Sequence, residues 1–117
     1  MKRDMDLIRQ ILFKLEELPM TGGWHNIEID GHTEEEITYH VRLMDEAGLI
    51  EAMDLTTLGG TDWHPQRITY AGHEFLDAAR SDKVWNTAKD KLLSVTGTLT
   101  IEGMKIALGA AMKALLT

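Results

Sequence analysis

The segment Thr33–Gly48 carries the strongest local signal in the sequence, because both of its ends are marked. Its first four residues form a capping box, in which the Thr33 hydroxyl accepts a bond from the Glu36 backbone N–H and the Glu36 carboxylate accepts one from the Thr33 backbone N–H. Gly48 suits the left-handed position that commonly follows a helix. Apolar residues recur inside the segment at helical spacing, at Ile37, Val41 and Met44. The sequence therefore predicts an amphipathic helix that buries one side.

A second amphipathic helix is predicted at the N-terminus, where apolar residues fall on one broad face. These residues are Met5, Leu7, Ile8, Ile11, Leu12, Leu15 and Leu18. Asp4 suits the N-cap of this helix, and Pro19 stops it. Phe13 lies amid the polar face, so it either packs under the C-terminal part of the chain or faces a partner.

Strands are predicted around the capped helix. After a loop at residues 20–23, Trp24–Ile29 alternates apolar and polar side chains, as a short strand does. Residues 49–55 read as a second strand and residues 67–69 as its returning partner. The connection at 56–66 contains two glycines and a proline, which are typical of a loop. The sequence thus predicts a β-hairpin with a long tip, and it places Trp63 at that tip.

Three further helices are predicted after the hairpin. Thr69 caps the first, which carries Tyr70 and Phe75, and Ser81 caps a second that reaches residue 95. The last helix covers residues 101–116. Its charged residues and its length are incompatible with a membrane span.

The composition narrows the class of protein. A chain of 117 residues fits one domain, and the absence of cysteine excludes disulfides, thiolate zinc sites and a cysteine nucleophile. The first residues, Met1–Asp4, lead straight into the amphipathic pattern without the apolar core of a signal peptide. We therefore expect a cytoplasmic protein without a membrane partner.

The order of these elements resembles that of winged helix-turn-helix domains. More narrowly, three blocks resemble a family of short bacterial and prophage winged-helix proteins of unknown function. The blocks are MKRDMDLIRQIL at 1–12, EEITYHVRLMDEAGLI at 35–50 and ITYAGHEFLDAARSDKVW at 68–85. The resemblance implies an α+β fold, with a winged-helix-type core at residues 1–80 and a C-terminal helical extension at residues 81–117. No separate second helix fits before the capped helix, which departs from the standard winged helix that docks in the DNA major groove.

Charge is distributed unevenly along the chain. The net charge is −7, and residues 19–68 hold ten acidic side chains against Arg42 and Arg67. Phosphate contacts with lysine and arginine supply much of the affinity of DNA-binding proteins. The winged-helix resemblance implies binding of double-stranded DNA and transcription regulation, whereas the acidic middle segment favours a basic protein partner. DNA binding by a divergent winged helix is the leading hypothesis, and an interaction module for a basic partner protein is the alternative.

Either partner is expected to meet the outer side of the capped helix and the hairpin. The predicted contact residues are Glu35, Thr38, Arg42, Glu46, Trp63, His64 and Arg67. The aromatic ring of Trp63 either folds back on the core or anchors a protein interface, where tryptophan is enriched.

No catalytic residue, cofactor or metal site is predicted. His32, Glu36 and His40 share helical spacing, but His32 precedes the N-cap and no third strong ligand stands nearby in sequence. The run Glu34–Glu36 is explained by the favourable interaction of acidic residues with a helix N-terminus. We therefore expect a protein that is not an enzyme.

The last helix is apolar nearly all round, so it is expected to be buried or paired. One stripe contains large residues and a second contains small ones, which lets two helix backbones approach closely. Packing on the chain's own first helix is one interpretation, and exchange with a second copy is the other. The favoured interpretation is a homodimer, with contacts at Met104, Ala107, Leu108, Ala111 and Leu115.

Overall fold

The computed structural model describes residues 1–19 and 22–117, so the first half of the predicted 20–23 loop lies outside the described residues. The described chain is α+β, with five helices and a two-stranded antiparallel sheet. It divides into two compact units, Met1–His73 and Glu74–Thr117. The division falls inside a helix, before the boundary at residue 80 that the sequence suggested.

Helix α1, Met5–Glu17, confirms the predicted N-terminal helix. The Asp4 carboxylate accepts bonds from the backbone N–H groups of Asp6 and Leu7, at 3.0 and 3.2 Å. It thereby satisfies two of the donors that a helix start leaves without a partner. The predicted apolar face is buried except at its end, where Leu18 is exposed.

Helix α2, Glu34–Glu46, begins with the predicted capping box and buries the predicted apolar side. Its one buried polar side chain within the described residues is His40. The His40 Nδ1 lies 2.7 Å from the Glu36 carbonyl oxygen, and the Asp4 backbone N–H donates to His40 Nε2 at 2.8 Å. An imidazole with its proton on Nδ1 can donate to the Glu36 carbonyl and accept from the Asp4 N–H. His40 thereby connects the start of α1 to α2.

The prediction of a strand at Trp24–Ile29 is wrong. This segment forms no strand ladder, although the His25 N–H donates to the Pro65 carbonyl oxygen of the hairpin at 2.8 Å. The alternation that suggested a strand is real, since Ile27 is buried between exposed neighbours. Alternating burial needs only an extended backbone against a core, whereas a strand also needs a regular run of hydrogen bonds.

Strands β1, Ile50–Asp54, and β2, Trp63–Ile68, form the predicted hairpin. Strand β2 is longer than predicted, because Pro65 does not interrupt it. The register shifts between Glu51, which pairs with Arg67, and Ala52, which pairs with Pro65, and such an irregularity tolerates a neighbouring residue that has no N–H to donate. The prediction of Trp63 at the tip is therefore wrong: it opens β2, and Leu58 stands fully exposed at the tip.

Helix α3, Tyr70–Ala78, starts where Thr69 meets the end of α2. The Thr69 hydroxyl accepts a bond from the Gly72 N–H and donates to the Gly48 carbonyl. A Cβ at Gly72 would lie 1.9 Å from the Leu49 carbonyl oxygen, so only glycine permits this close approach. Tyr70, the first residue of this helix, is exposed.

Helices α4, Asp82–Thr96, and α5, Ile101–Leu116, pack against each other in the second unit. Trp85 is buried and meets the Phe75 ring edge-on, with 6.2 Å between the ring centroids. Val95 is exposed near the C-terminal end of α4. In the described part of the chain, no helix has the length and apolar character that a membrane span needs.

Candidate functional site

The exposed side of α2 and the connection between β1 and β2 border one open groove, which we call the α2–hairpin groove. Its volume is about 440 Å³. Its lining residues are Glu34, Glu35, Thr38, Thr57, Gly59, Gly60, Thr61 and Asp62. Two of the predicted contact residues, Glu35 and Thr38, therefore line the groove. The walls contain three carboxylates and no lysine or arginine.

Arg42 lies beside this groove on α2, but acidic and aromatic neighbours already surround its guanidinium. Its Nε donates to Glu46 Oε1 at 3.1 Å, one helical turn away. The guanidinium carbon lies 5.8 Å from the centroid of the Trp63 ring, within the range of a cation–π contact. Bonds from the Thr56 hydroxyl and backbone N–H, with a smaller effect of the Arg42 charge, hold the pKa of Asp54 below its ordinary value.

Arg67 is held across the hairpin by Glu51, its partner in the strand register. Two bonds join the side chains, from Arg67 Nε to Glu51 Oε2 at 2.9 Å and from Nη2 to Oε1 at 2.8 Å. This paired geometry is the strong form of an arginine–carboxylate contact. It lowers the pKa of Glu51 and raises that of Arg67. Both cations of residues 19–68 therefore already bind carboxylates of the same unit.

His64 was predicted to face a partner, but it is turned against its own chain. Its Nε2 lies 2.8 Å from Asp62 Oδ1, and its Nδ1 lies 3.3 Å from the His25 carbonyl oxygen. The Trp24 ring packs over it, with 4.3 Å between the centroids. Sequence reasoning missed this cluster, since only folding brings the 24–25 segment beside the hairpin. The contacts leave little of the His64 side chain for a partner.

The structure separates the histidines whose spacing suggested a metal site. His32 Nδ1 lies 3.1 Å from Glu36 Oε2, outside the helix start, whereas both nitrogens of His40 are used inside the fold. Hydrogen bonds from the Thr33 backbone and from His32 lower the pKa of Glu36. Among the residues that the structure describes, no group of three or more potential ligands is placed to hold a metal.

The predicted dimer contacts on α5 share one broad side of the helix, and this side is buried except near the C-terminal end. Met104, Leu108 and Ala111 are buried within the chain, Ala107 is half-buried, and Leu115 is exposed. A side chain already buried within the single chain offers no surface to a second copy. The stripe of large residues on α5 is therefore part of the interior, and the exposed side of the helix lies elsewhere.

Phe13 lies beside a different groove of the first unit. It lines an open cavity of about 320 Å³ together with Ile29 and neighbouring polar residues of α1 and of the 28–30 segment. The Arg9 guanidinium carbon lies 4.9 Å from its ring centroid. The half-buried ring thus has neighbours within its own unit.

Comparison with known proteins places these features in a family. The family model "Hypothetical protein (DUF2513)" matches residues 2–99, which include the capping box, the hairpin and α4. A protein of Haemophilus influenzae, described as an uncharacterized protein, is 40% identical over 108 residues and covers 90% of each chain. No solved structure matches this chain. The match over most of the sequence shows that the chain belongs to the DUF2513 family.

Proposed function

We propose that this protein is a non-enzymatic interaction module that uses the α2–hairpin groove to bind a basic segment of a partner protein. The observation that carries the proposal is a groove whose only charged lining residues are carboxylates, with Arg42, the cation next to it on α2, already paired with Glu46. A regulatory role in a bacterium or prophage would follow from capture of such a partner.

The charges of the groove favour a cationic ligand. Within the described ranges 1–19 and 22–117, no salt bridge reaches Glu34 or Glu35, so their carboxylates stay available for a lysine or arginine side chain. A like-charged ligand such as a nucleic acid backbone would meet repulsion from both. The negative electrostatic potential of these carboxylates is stronger in a concave groove than on a flat surface.

Trp63 supplies an apolar surface at the edge of the same region. Its ring is half-buried, and the Arg42 guanidinium lies over it, so an aromatic surface and carboxylates stand close together. A lysine or arginine side chain has an apolar stem and a charged head. Such a side chain can lay its stem on the indole while its head reaches the acidic wall.

The proposal is tested by titrating isotope-labelled protein with a short peptide of alternating lysine and serine and following backbone and indole NMR signals. We expect shifts in Glu34, Glu35, Thr38 and the hairpin tip, and a shift of the Trp63 indole N–H. The indole of Trp85, which is buried in the other unit, serves as the internal control.

Charge-reversal variants identify the surface responsible. Glu34→Lys/Glu35→Lys should weaken peptide binding roughly tenfold or more, because two favourable contacts become repulsive. The matched control is Glu16→Lys/Glu17→Lys, which makes the same charge change on α1. Equal loss in both pairs of variants would mean that only net charge matters, and it would refute the groove as the binding surface.

A second candidate function is DNA binding by a divergent winged helix, and the order of α2, hairpin and α3 favours it. In that arrangement α2 would enter the major groove and the hairpin would act as the wing. A gel shift with mixed-sequence duplex DNA separates the candidates. The interaction module predicts no retardation even at low salt, whereas a DNA-binding protein predicts retardation that added salt weakens.

A further inference from the structure

The outer side of α5 carries a row of residues that the chain leaves uncovered. Ile106 is 75% exposed, although it is a large apolar residue in the middle of a helix. A Cβ built on Gly109 meets no atom within 4 Å, so the surface there is open. Glu102 and Lys113 flank these two residues on the same side. Successive residues of this row, from 102 to 113, are four, three and four positions apart, which is the spacing of contacts between paired helices.

The row has the same spacing when it is followed from either end, with charged residues outside and uncharged residues inside. A charged residue stands at each end, and Ile106 and Gly109 stand side by side in the middle. If two copies of α5 pair antiparallel about the midpoint of the row, Ile106 of one copy meets Gly109 of the other. The isoleucine then fills the space that the glycine leaves, and it does so twice because the contact is two-fold symmetric.

The same register brings opposite charges together. Glu102 of one copy faces Lys113 of the second copy at both ends of the row. Within one copy these residues are about 16 Å apart along the helix, too far for an ion pair. Glu102 contacts Lys105 at 3.2 Å in the single chain, but both of these side chains are exposed and that contact is of the weak surface kind. A parallel pairing would place like charges opposite each other.

We infer that the exposed side of α5 is a self-association surface on which a second copy of this chain binds antiparallel. The four residues Glu102, Ile106, Gly109 and Lys113 define this α5 seam. Leu116, which is exposed at the end of the same side, extends the apolar contact past the charged pair. The inference replaces the buried stripe as the dimer contact, and it does not depend on the function proposed for the first unit.

The small area of the α5 seam sets the expected affinity of the dimer. A helix of 16 residues is about 24 Å long, so a single helix pair buries less surface than stable dimers usually do. We therefore expect a weak, reversible dimer. Sedimentation of the full chain should show a mass that rises with concentration from 13.2 kDa towards twice that value.

Matched glutamine variants test whether the seam carries the association. Ile106→Gln should raise the dissociation constant roughly tenfold, because the central apolar contact is lost. Val95→Gln is the control, since Val95 is also β-branched, is 70% exposed and lies outside the seam. Circular dichroism melts of both variants check that the helices still form. Similar effects of the two substitutions would overturn the inference.

Charge variants test the antiparallel register. Glu102→Lys alone and Lys113→Glu alone should each abolish the dimer, since each places like charges opposite each other at both ends. An equimolar mixture of the two variants should form a heterodimer at least as readily as the wild type, because every charged pair is then complementary. A monomeric wild type at all concentrations, or a mixture that stays monomeric, would overturn the inference.

Discussion

His40 contributes to the fold through both nitrogens of its ring. It is 1% exposed, and it joins a backbone carbonyl of α2 to a backbone N–H at the start of α1. A buried polar group is favourable only when its hydrogen bonds are made, and here each bond also satisfies a backbone group. Both ring nitrogens of His40 are therefore already used in holding the fold together.

Replacing His40 should therefore destabilise the protein. His40→Leu keeps an apolar side chain of similar size but removes the acceptor of the Asp4 N–H and the donor to the Glu36 carbonyl. We expect a loss of about 2–3 kcal/mol in the free energy of unfolding, measured by urea denaturation. His73→Leu, at an exposed histidine, should change it by less than about 0.5 kcal/mol. A small effect at His40 would show that the two bonds contribute little.

Gly72 is the second position at which one residue type is required. Gly72→Ala would place its Cβ against the Leu49 carbonyl oxygen, which is backbone and cannot rotate away. We expect a loss of about 3 kcal/mol in the free energy of unfolding, from forced backbone shifts. Gly23→Ala is the control, since a Cβ there meets no atom within 4 Å. Chemical denaturation compares the two, and equal effects would contradict the steric explanation.

At the scale of elements, the hairpin is held by a side-chain ion pair as well as by its backbone hydrogen bonds. Glu51 and Arg67 face each other across β1 and β2, and their paired bonds act beside the register shift at Pro65. Opposite charges placed across two strands stabilise that pairing. The hairpin in turn carries Trp63 towards Arg42 and the α2–hairpin groove.

The Glu51 contribution should depend on pH. Because Arg67 lowers the folded-state pKa of Glu51 below its ordinary 4.5, the contribution is present above that value and is lost as the pH falls through the folded pKa. The difference in unfolding free energy between wild type and Glu51→Gln should therefore be largest near neutral pH and shrink in acid. Urea denaturation from pH 7 to pH 3 measures it, and a difference that grows in acid would contradict the assigned contact. Glu74→Gln, at an exposed glutamate of the second unit, is the control.

At the scale of the whole molecule, charge is the feature that distinguishes this chain from an average small domain. The net charge of −7 arises from residues 19–68, in which ten acidic residues meet two basic ones. The fold pairs those two basic residues locally, so repulsion among the remaining carboxylates persists over the first unit. Such self-repulsion opposes the compact state and is screened by salt.

Moderate salt should therefore stabilise the protein. We expect the thermal midpoint to rise as NaCl increases from about 10 mM to about 200 mM, since the Debye length falls below the spacing of many surface charges. KCl should act alike, which distinguishes screening from binding of one particular ion. A midpoint that falls with salt would show that the surface ion pairs outweigh the repulsion.

The sequence by itself determined the helices and the hairpin, because these depend on neighbours in the chain. The capping box at Thr33, the Asp4 cap and the stop at Pro19 all act within a few residues, and the structure confirms them. The same holds for the acidic character of the α2 surface, which follows from residue order on one helix. Membership of a small family with an α+β fold was likewise visible in three short blocks.

Only the tertiary structure decided how these elements use their side chains. Alternation at residues 24–29 reported burial correctly but could not show that a ladder of hydrogen bonds is missing. The apolar stripe of α5 could not show whether its own chain or a second copy covers it, so Met104 was expected at a dimer contact and is buried within the single chain. The stacking of Trp24 on His64 joins residues far apart in sequence. Local rules do not encode such contacts, since their energy depends on which surfaces the folded chain brings together.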